Sequence, residues 1–329
     1  MKMCDYISSI KDQLEEALII GKNSNLKTST KKLRNVVICG LGGSGIGGNI
    51  VRDVVYNEST LPLFSVKNYD IPSFINSDTL VIVSSYSGNT EETISALKKC
   101  IQNNAEIAII TSGGKLKSFA QKNNLNHILV PGNHPPRAMF AYSFVQIFYV
   151  LYNYSIINNS FKKNIKQSIS LLTKKKNKIK EQAKFIAEKL FNTTPVIYVA
   201  DGFEGVAVRF RQQVNENSKM LCWHQVVPEM NHNELLGWRI NTKSLSVIFF
   251  RNKIDNKRNQ IRIDINKSVI SKYTKNIIEV WSEGETLMEN TLYHIHLGDW
   301  ISWYLSEMNG VDAIEIDVIN YLKTELAKI

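Results

Sequence analysis

The sequence lacks long apolar runs, clustered cysteines and a leader pattern. In its 329 residues no apolar run reaches the roughly 18 residues that a membrane-spanning helix needs, so we expect no membrane partner. The first residues, MKMCDYISSIKDQLEEAL, follow the pattern of an amphipathic helix of mixed charge, which differs from a signal peptide. The cysteines are scattered, which favours reduced thiols over disulfides or metal ligands: Cys4, Cys39, Cys100 and Cys222. These absences predict a cytoplasmic protein.

A basic stripe interleaved with aromatic residues is also missing, although the formal net charge is +10. The lysine-rich runs at residues 31–34 and 174–180 lie at the edges of the predicted domains. Without aromatic partners they do not form the pattern of a nucleic-acid surface. We expect no nucleic-acid partner, and a positive field would help to attract a small anionic substrate.

The most distinctive segment is VVICGLGGSGIGGN, residues 36–49. Its apolar start predicts a buried parallel strand, and its end has the spacing of a helix. Between them lies the glycine loop (residues 40–48), which contains six glycines. Glycine lets backbone N–H groups approach a ligand, and a helix N-terminus favours negative charge. The segment therefore predicts an anion site.

Two common uses of such a loop are disfavoured by what is missing around it. The spacing of Gly40, Gly42 and Gly45 fits the dinucleotide fingerprint, but that fingerprint needs an acidic residue after the next strand. Lys67 and Asn68 stand there instead. A hydrolase nucleophile at residue 44 would need glycine at position 46, which is Ile46. We expect neither a nucleotide cofactor nor a serine nucleophile.

Strand patterns alternate with helix patterns along the chain and predict an α/β fold with parallel sheets. We divide it into an N-terminal domain at residues 1–153, a solvated connecting helix at 154–190 and a C-terminal domain at 191–329. The C-terminal domain repeats the first without the glycine loop. The predicted strands are 36–38, 61–66, 79–83, 106–110, 128–130, 196–200, 220–224, 244–250 and 276–280.

A second polar loop, the hydroxyl loop (residues 84–90, SSYSGNT), follows the third predicted strand. Because ligands bind beyond the carboxyl ends of parallel strands, it should face the same site as the glycine loop. Its hydroxyl groups and N–H groups, without Lys or Arg, suit a phosphate monoester. Capping of the next helix by Asn89 or Thr90 would account for only part of this pattern.

These two loops resemble the sugar isomerase (SIS) domain, a three-layer αβα sandwich that binds phosphosugars. Further segments narrow the resemblance to the bifunctional phosphoglucose/phosphomannose isomerase family, which has two SIS-type domains. They are residues 136–138 (PRA), 215–219 (NENSK), 229–234 (EMNHNE) and Leu322-Lys323 near the end of the chain. The resemblance spans nearly the whole chain.

The resemblance implies an aldose–ketose isomerase that interconverts glucose 6-phosphate, and in the family also mannose 6-phosphate, with fructose 6-phosphate through an enediolate. Glu216 would be the base, His232 and Lys323 would assist ring opening, and Arg137 would stabilise the enediolate. No metal and no cofactor are required. A homodimer with the active site near the subunit boundary is implied. The phosphate would be held by Gly43, Ser44, Ser85, Ser87 and Thr90.

One segment departs from the family pattern. Members usually carry an Asp-Pro-Thr-Pro-like segment before the final helix, whereas residues 311–316 read VDAIEI. Ile314 then replaces a hydroxyl residue near C2 of the sugar, which predicts weaker mannose than glucose activity. Two alternatives stay open: a non-catalytic sugar-phosphate-binding SIS protein, or another SIS phosphosugar isomerase. The short segment before Val36 disfavours the sensor, since it leaves little room for a DNA-binding module.

Overall fold

Nine parallel strands form two separate sheets, each covered by helices, in the described part of the chain. The computed structural model describes residues 1–240 and 244–328. The first sheet has strand order β2-β1-β3-β4-β5, and the second has order β7-β6-β8-β9. All neighbouring strands in both sheets are parallel. The α/β class and the parallel sheets predicted from the sequence are therefore confirmed.

The N-terminal sheet is built from short apolar segments. β1 lies between β2 and β3, with Val37 paired to Val81, and β3 is buried along its whole length. Strands buried on both faces are expected where helices cover both sides of a parallel sheet. The elements are α1 (Met3–Ser8), α2 (Ile10–Lys22), β1 (Asn35–Cys39), α3 (Gly42–Val54), β2 (Leu63–Val66), β3 (Thr79–Ser84), α4 (Glu91–Gln102), β4 (Glu106–Thr111), α5 (Gly114–Lys122), β5 (Asn126–Leu129) and α6 (Phe140–Asn153).

The C-terminal sheet follows a long helix. Its β6 and β8 are buried along nearly their whole length. The elements are α7 (Ser160–Leu190), β6 (Thr194–Ala200), α8 (Glu204–Ser218), β7 (Trp223–Val227), β8 (Leu245–Arg251), α9 (Lys257–Ile270), β9 (Ile277–Trp281), α10 (Leu287–Met308) and α11 (Asp317–Leu326). No helix within residues 1–240 and 244–328 combines the length and hydropathy needed to cross a bilayer.

Two local expectations are wrong. α7 is not simply solvated, because one face with Ile165, Ile179 and Ile186 is buried in the core, where α7 packs against α10. The strand expected at residues 220–224 begins at Trp223. The preceding residues form the turn out of α8, where the Asn215 side chain donates to the Met220 carbonyl at 2.7 Å.

The two halves of the chain meet where α3 packs against the start of α8. A Cβ atom on Gly205 would lie 3.0 Å from the Ile50 Cα atom, so this contact admits only glycine without movement. The Gly205 N–H donates to the Asp53 carboxylate at 2.8 Å, and burial raises the pKa of Asp53. The Asp53 carboxylate, in the first half of the chain, therefore accepts a hydrogen bond at the N-terminus of α8, in the second half.

Candidate active site

The glycine loop joins β1 to α3 at the carboxyl edge of the N-terminal sheet. α3 begins at Gly42, and Leu41 before it makes no side-chain capping bond within the described chain. The Ser44 N–H donates to the Leu41 carbonyl at 3.2 Å, which leaves the N–H groups of Gly42 and Gly43 in the first turn for a ligand. A Cβ atom on Gly43 would lie 3.0 Å from the Arg137 Cα atom. Glycine at this position lets the loop lie directly against the main chain of Arg137.

Hydrogen bonds join the glycine loop to the hydroxyl loop. The Tyr86 N–H donates to Ser44 Oγ at 2.9 Å, and Ser84 Oγ donates to the Ser44 carbonyl at 3.3 Å. Ser44 and Ser84 are both buried. The two loops, predicted to share one edge of the sheet, are therefore in direct contact.

The hydroxyl groups of the second loop are arranged around each other. Ser85 Oγ and Thr90 Oγ1 lie 2.8 Å apart. Thr90 precedes α4 but makes no side-chain capping bond there. Ser87 is exposed, and its Oγ accepts from the Asn89 N–H at 3.2 Å. Helix capping therefore does not explain why a hydroxyl residue stands at position 90.

Arg137 lies in a short 3-10 turn, Pro136–Met139, and its guanidinium is buried. Burial lowers the pKa of Arg137, while the nearby Glu216 carboxylate opposes this effect. Its Nε donates to the Asn217 side chain at 2.8 Å. Its Nη2 donates to the carbonyl groups of Ala313 and Ile314, before the final helix. The side chain of Arg137, from the first half of the chain, thus bonds to residues of the second half.

Glu216 lies in the last turn of α8 and faces Arg137. Its carboxylate is 3.5 Å from Arg137 Nη1, and its side chain is 27% exposed. Lys219 ends this helix in a left-handed conformation, and its ammonium donates to the carbonyls of Glu216, Asp312 and Glu315. The segment before α11 is therefore tied to the end of α8. The ion-pair partner of Glu216 comes from the other half of the chain rather than from its own helix.

Most of the predicted residues are brought together in this way. Gly43 lies against Arg137, which is paired with Glu216, and the glycine loop contacts the hydroxyl loop. The result is a continuous group of the predicted phosphate-binding residues, one buried cation and one partly exposed carboxylate. Its members are Gly43, Ser44, Ser85, Thr90, Arg137 and Glu216.

His232 and Lys323 are not joined to this group. His232 is exposed at the end of a 3-10 turn, Glu229–His232, on the C-terminal half. Lys323 is exposed on α11, a helix with no buried residue. Among the described residues, neither side chain makes a hydrogen bond or ion pair with Arg137 or Glu216. Ile314 does reach the site, but through its carbonyl, which accepts from Arg137 at 3.2 Å.

A buried polar network behind Arg137 was not predicted from the sequence. Arg209 pairs with the Asp299 carboxylate at 2.7 Å, and Gln213 donates to its other oxygen at 2.9 Å. Arg209 also donates to the Arg137 carbonyl at 3.2 Å. The sequence pattern that could have revealed this network is a polar stripe at helical spacing on α8, at positions 209, 213 and 216 to 217. Only the partner helix α10 shows that this stripe is buried.

Comparison with known proteins agrees with this architecture. Residues 31–155 match the SIS domain family, and residues 179–326 match the family described as the bacterial phospho-glucose isomerase C-terminal SIS domain. A bifunctional phosphoglucose/phosphomannose isomerase from Caldicellulosiruptor bescii is 35% identical over 337 residues, covering 99% of each chain. The chain belongs to the bifunctional phosphoglucose/phosphomannose isomerase family. The family resemblance and the fold of two SIS-type domains, both expected from the sequence, are thereby confirmed.

Other relatives support the same family and fold. A bifunctional phosphoglucose/phosphomannose isomerase from Aquifex aeolicus is 33% identical over 299 residues, covering 90% of this chain and 91% of that protein. Among solved structures, a hypothetical protein from Thermus thermophilus superposes with a TM-score of 0.78. It covers 99% of this chain and 90% of that chain at 13% identity, so this likeness concerns the fold alone.

Proposed function

We propose that this protein interconverts glucose 6-phosphate and fructose 6-phosphate, and also mannose 6-phosphate, by moving a proton between C1 and C2 through an enediolate. The observation that carries the proposal is the pair of Glu216 and Arg137 beside the glycine loop. A carboxylate that can accept a proton lies 3.5 Å from a buried cation that can stabilise negative charge. This combination fits isomerisation and would be superfluous in a protein that only binds sugar phosphates.

The substrate phosphate is held by Gly43, Ser44, Ser85, Ser87 and Thr90. The uncapped start of α3 supplies N–H groups, and the pair of Ser85 and Thr90 supplies hydroxyl groups. Neutral donors at a helix N-terminus suit a single phosphate group. The contact between Gly43 and Arg137 supports a binding mode in which the other end of the sugar lies toward Glu216.

Glu216 takes the proton from one carbon and returns it to the neighbouring carbon. As it does so, negative charge develops on the C1 and C2 oxygens of the enediolate. The guanidinium of Arg137 faces this charge in a buried position, where a fixed cation stabilises it more than it would in water. The step needs neither a metal ion nor an organic cofactor.

Ring opening by His232 and Lys323 requires a different arrangement, and we propose that a homodimer supplies it. α11 carries Lys323 and exposes Val318, Tyr321 and Leu322 by 81%, 67% and 58%. These apolar residues share one face of a ten-residue helix, and so short a helix is marginal without tertiary packing. A second copy of the chain would cover this face and bring its own His232 to the site.

Mixed dimers test this arrangement. Glu216→Gln and His232→Ala chains should each be inactive alone, and mixing them should restore part of the activity. Exchange of subunits must be verified with differently tagged chains. If exchanged mixtures stay inactive, the two residues act within one chain and the shared site is wrong.

The remaining proposals concern organisation and location. We divide the chain at residues 1–153, 154–190 and 191–329, with the phosphate loops in the first domain and Glu216 and His232 in the last. The four cysteines are free thiols, which suits a cytoplasmic location.

A coupled assay with fructose 6-phosphate tests the function directly. Glucose 6-phosphate and mannose 6-phosphate are detected separately, with a chelator present. We expect both products, with glucose 6-phosphate formed faster. Binding of fructose 6-phosphate without either product would favour the non-catalytic alternative, and a different product would favour another SIS isomerase.

A further inference from the structure

The orientation of Arg137 is controlled by residues of the C-terminal half. Its Nε donates to Asn217 Oδ1 at 2.8 Å, across eighty residues of sequence. Its main-chain carbonyl accepts from Arg209 at 3.2 Å, and Arg209 is itself paired with Asp299. The main chain and the guanidinium of Arg137 are therefore both held by α8, the helix that carries Glu216.

The amide of Asn217 has a defined orientation. Asn217 is fully buried, and its Nδ2 donates to Ser302 Oγ at 3.0 Å. Ser302 Oγ in turn donates to the Asp299 carbonyl at 2.7 Å, so it is free to accept from the amide. The Asn217 oxygen must then face Arg137 and accept the Nε–H.

We propose that Asn217 is a positioning residue for the isomerase reaction, acting through Arg137. It fixes the guanidinium so that Nη1 points toward Glu216. The enediolate forms beside these two groups. This inference rests on the proposed function. A displaced guanidinium would lose most of its effect on the transition state, because electrostatic stabilisation depends on donors placed before the reaction begins.

The neutrality of this partner matters as much as its geometry. Besides Asn217, the guanidinium donates to two main-chain carbonyls, those of Ala313 and Ile314. These acceptors are neutral, so in the described part of the chain the one carboxylate that forms an ion pair with Arg137 is that of Glu216, the proposed base. An aspartate at position 217 would keep an acceptor for Nε but would neutralise Arg137 from behind. The structure therefore predicts that Asn217→Asp impairs catalysis even if the hydrogen bond survives.

Ligand binding and kinetics test this role. For Asn217→Ala we expect kcat to fall by about 10- to 100-fold, while KM for fructose 6-phosphate changes by less than about threefold. Binding of a five-carbon phosphosugar hydroxamate, which mimics the enediolate, should weaken by a similar factor. Binding of a hexitol 6-phosphate, which mimics only the substrate chain and phosphate, should hardly change. Equal loss for both ligands would overturn the proposal.

A double-mutant comparison separates positioning from general damage. In an Arg137→Met background, Asn217→Ala should no longer affect hydroxamate binding, because the residue through which it acts is gone. An undiminished effect in that background would mean that Asn217 serves only to maintain the fold, and the proposal would fail.

The Nε–H signal of Arg137 provides a readout that does not depend on turnover. In a ¹⁵N-labelled protein this buried, hydrogen-bonded proton should exchange slowly, and Arg137→Met assigns it by its disappearance. We expect Asn217→Ala to abolish slow exchange, whereas the matched control Asn215→Ala, on the same helix, retains it. Slow exchange in Asn217→Ala would refute the positioning role. If the wild type converts no sugar phosphate, the proposed function fails while this measurement still decides the hydrogen bond.

Discussion

Replacing Glu216 by glutamine tests the assignment of the base most directly. The substitution keeps the size of the side chain and removes the group that accepts the proton. The carboxylate lies 3.5 Å from Arg137, and the Glu216 side chain is 27% exposed, so it can reach a bound sugar and is not needed inside the core. The residues proposed to hold the phosphate lie on other elements. The change should therefore affect proton transfer far more than substrate binding.

The expected magnitude follows from these positions. Loss of a positioned base typically lowers the rate by about 10²- to 10⁴-fold, and kcat should fall by this amount. KM for fructose 6-phosphate should change by less than about threefold, because the phosphate contacts remain. The wild type should also incorporate solvent deuterium at C2 of glucose 6-phosphate, and the variant should not.

Glu204→Gln is the matched control. Glu204 lies at the opposite end of the same helix, 3.6 Å from Arg52, and should tolerate the change with near-normal turnover. If Glu216→Gln keeps near-normal turnover and deuterium exchange, the base lies elsewhere. A large fall in the Glu204 variant with none in the Glu216 variant would move the site to the other end of α8.

Three further predictions concern the phosphate, the sugar and stability. Replacing both Ser87 and Thr90 by alanine should weaken binding of 6-phosphogluconate by roughly 1–3 kcal/mol, measured by calorimetry, through lost hydrogen bonds to a charged group; unchanged binding would contradict the phosphate assignment. Ile314→Thr should raise the ratio of mannose to glucose 6-phosphate turnover, since a buried sugar hydroxyl without a partner costs about 1–3 kcal/mol; an unchanged ratio would show that this side chain does not discriminate. Glu283 bonds to Lys175 at 2.5 Å, and this contact lowers its pKa. Glu283→Gln should lower the free energy of unfolding by about 0.5–1 kcal/mol at pH 7. Because the folded pKa is depressed, that stabilisation should be present above the unfolded value of about 4.3 and disappear as the pH falls through the folded value; a difference in urea unfolding that persists at still lower pH would contradict it.

The glycine loop and the hydroxyl loop could be predicted from the sequence because their residue patterns are local. The glycine loop lies between β1 and α3, and the hydroxyl loop follows β3 in the same sheet. In a parallel sheet both loops must lie at one edge, and they meet through Ser44 and Tyr86 because β3 lies next to β1. The parallel sheets themselves follow from the alternation of short apolar segments with helical ones.

That Arg137 and Glu216 lie at one site was predicted only as an implication of the family resemblance, since no local pattern joins these two residues. Their contact depends on how α8 packs beside the N-terminal half, and sequence spacing carries no record of that packing. The role of Asn217 was missed for the same reason. On α8 alone it is one polar residue in a polar helix, and its burial becomes visible only when α10 covers it.

The burial of α7 likewise depends on tertiary contacts that the sequence pattern did not reveal. Its lysine-rich sequence indicated a solvated helix, and one face does remain in water. The opposite face is buried against α10, where Ile179 and Ile186 have almost no exposed surface. The sequence by itself therefore determined which segments become strands, helices and the two polar loops, because those depend on neighbouring residues. Only the tertiary structure decided which helix faces are buried and which charges meet, because those depend on contacts between segments far apart in the chain.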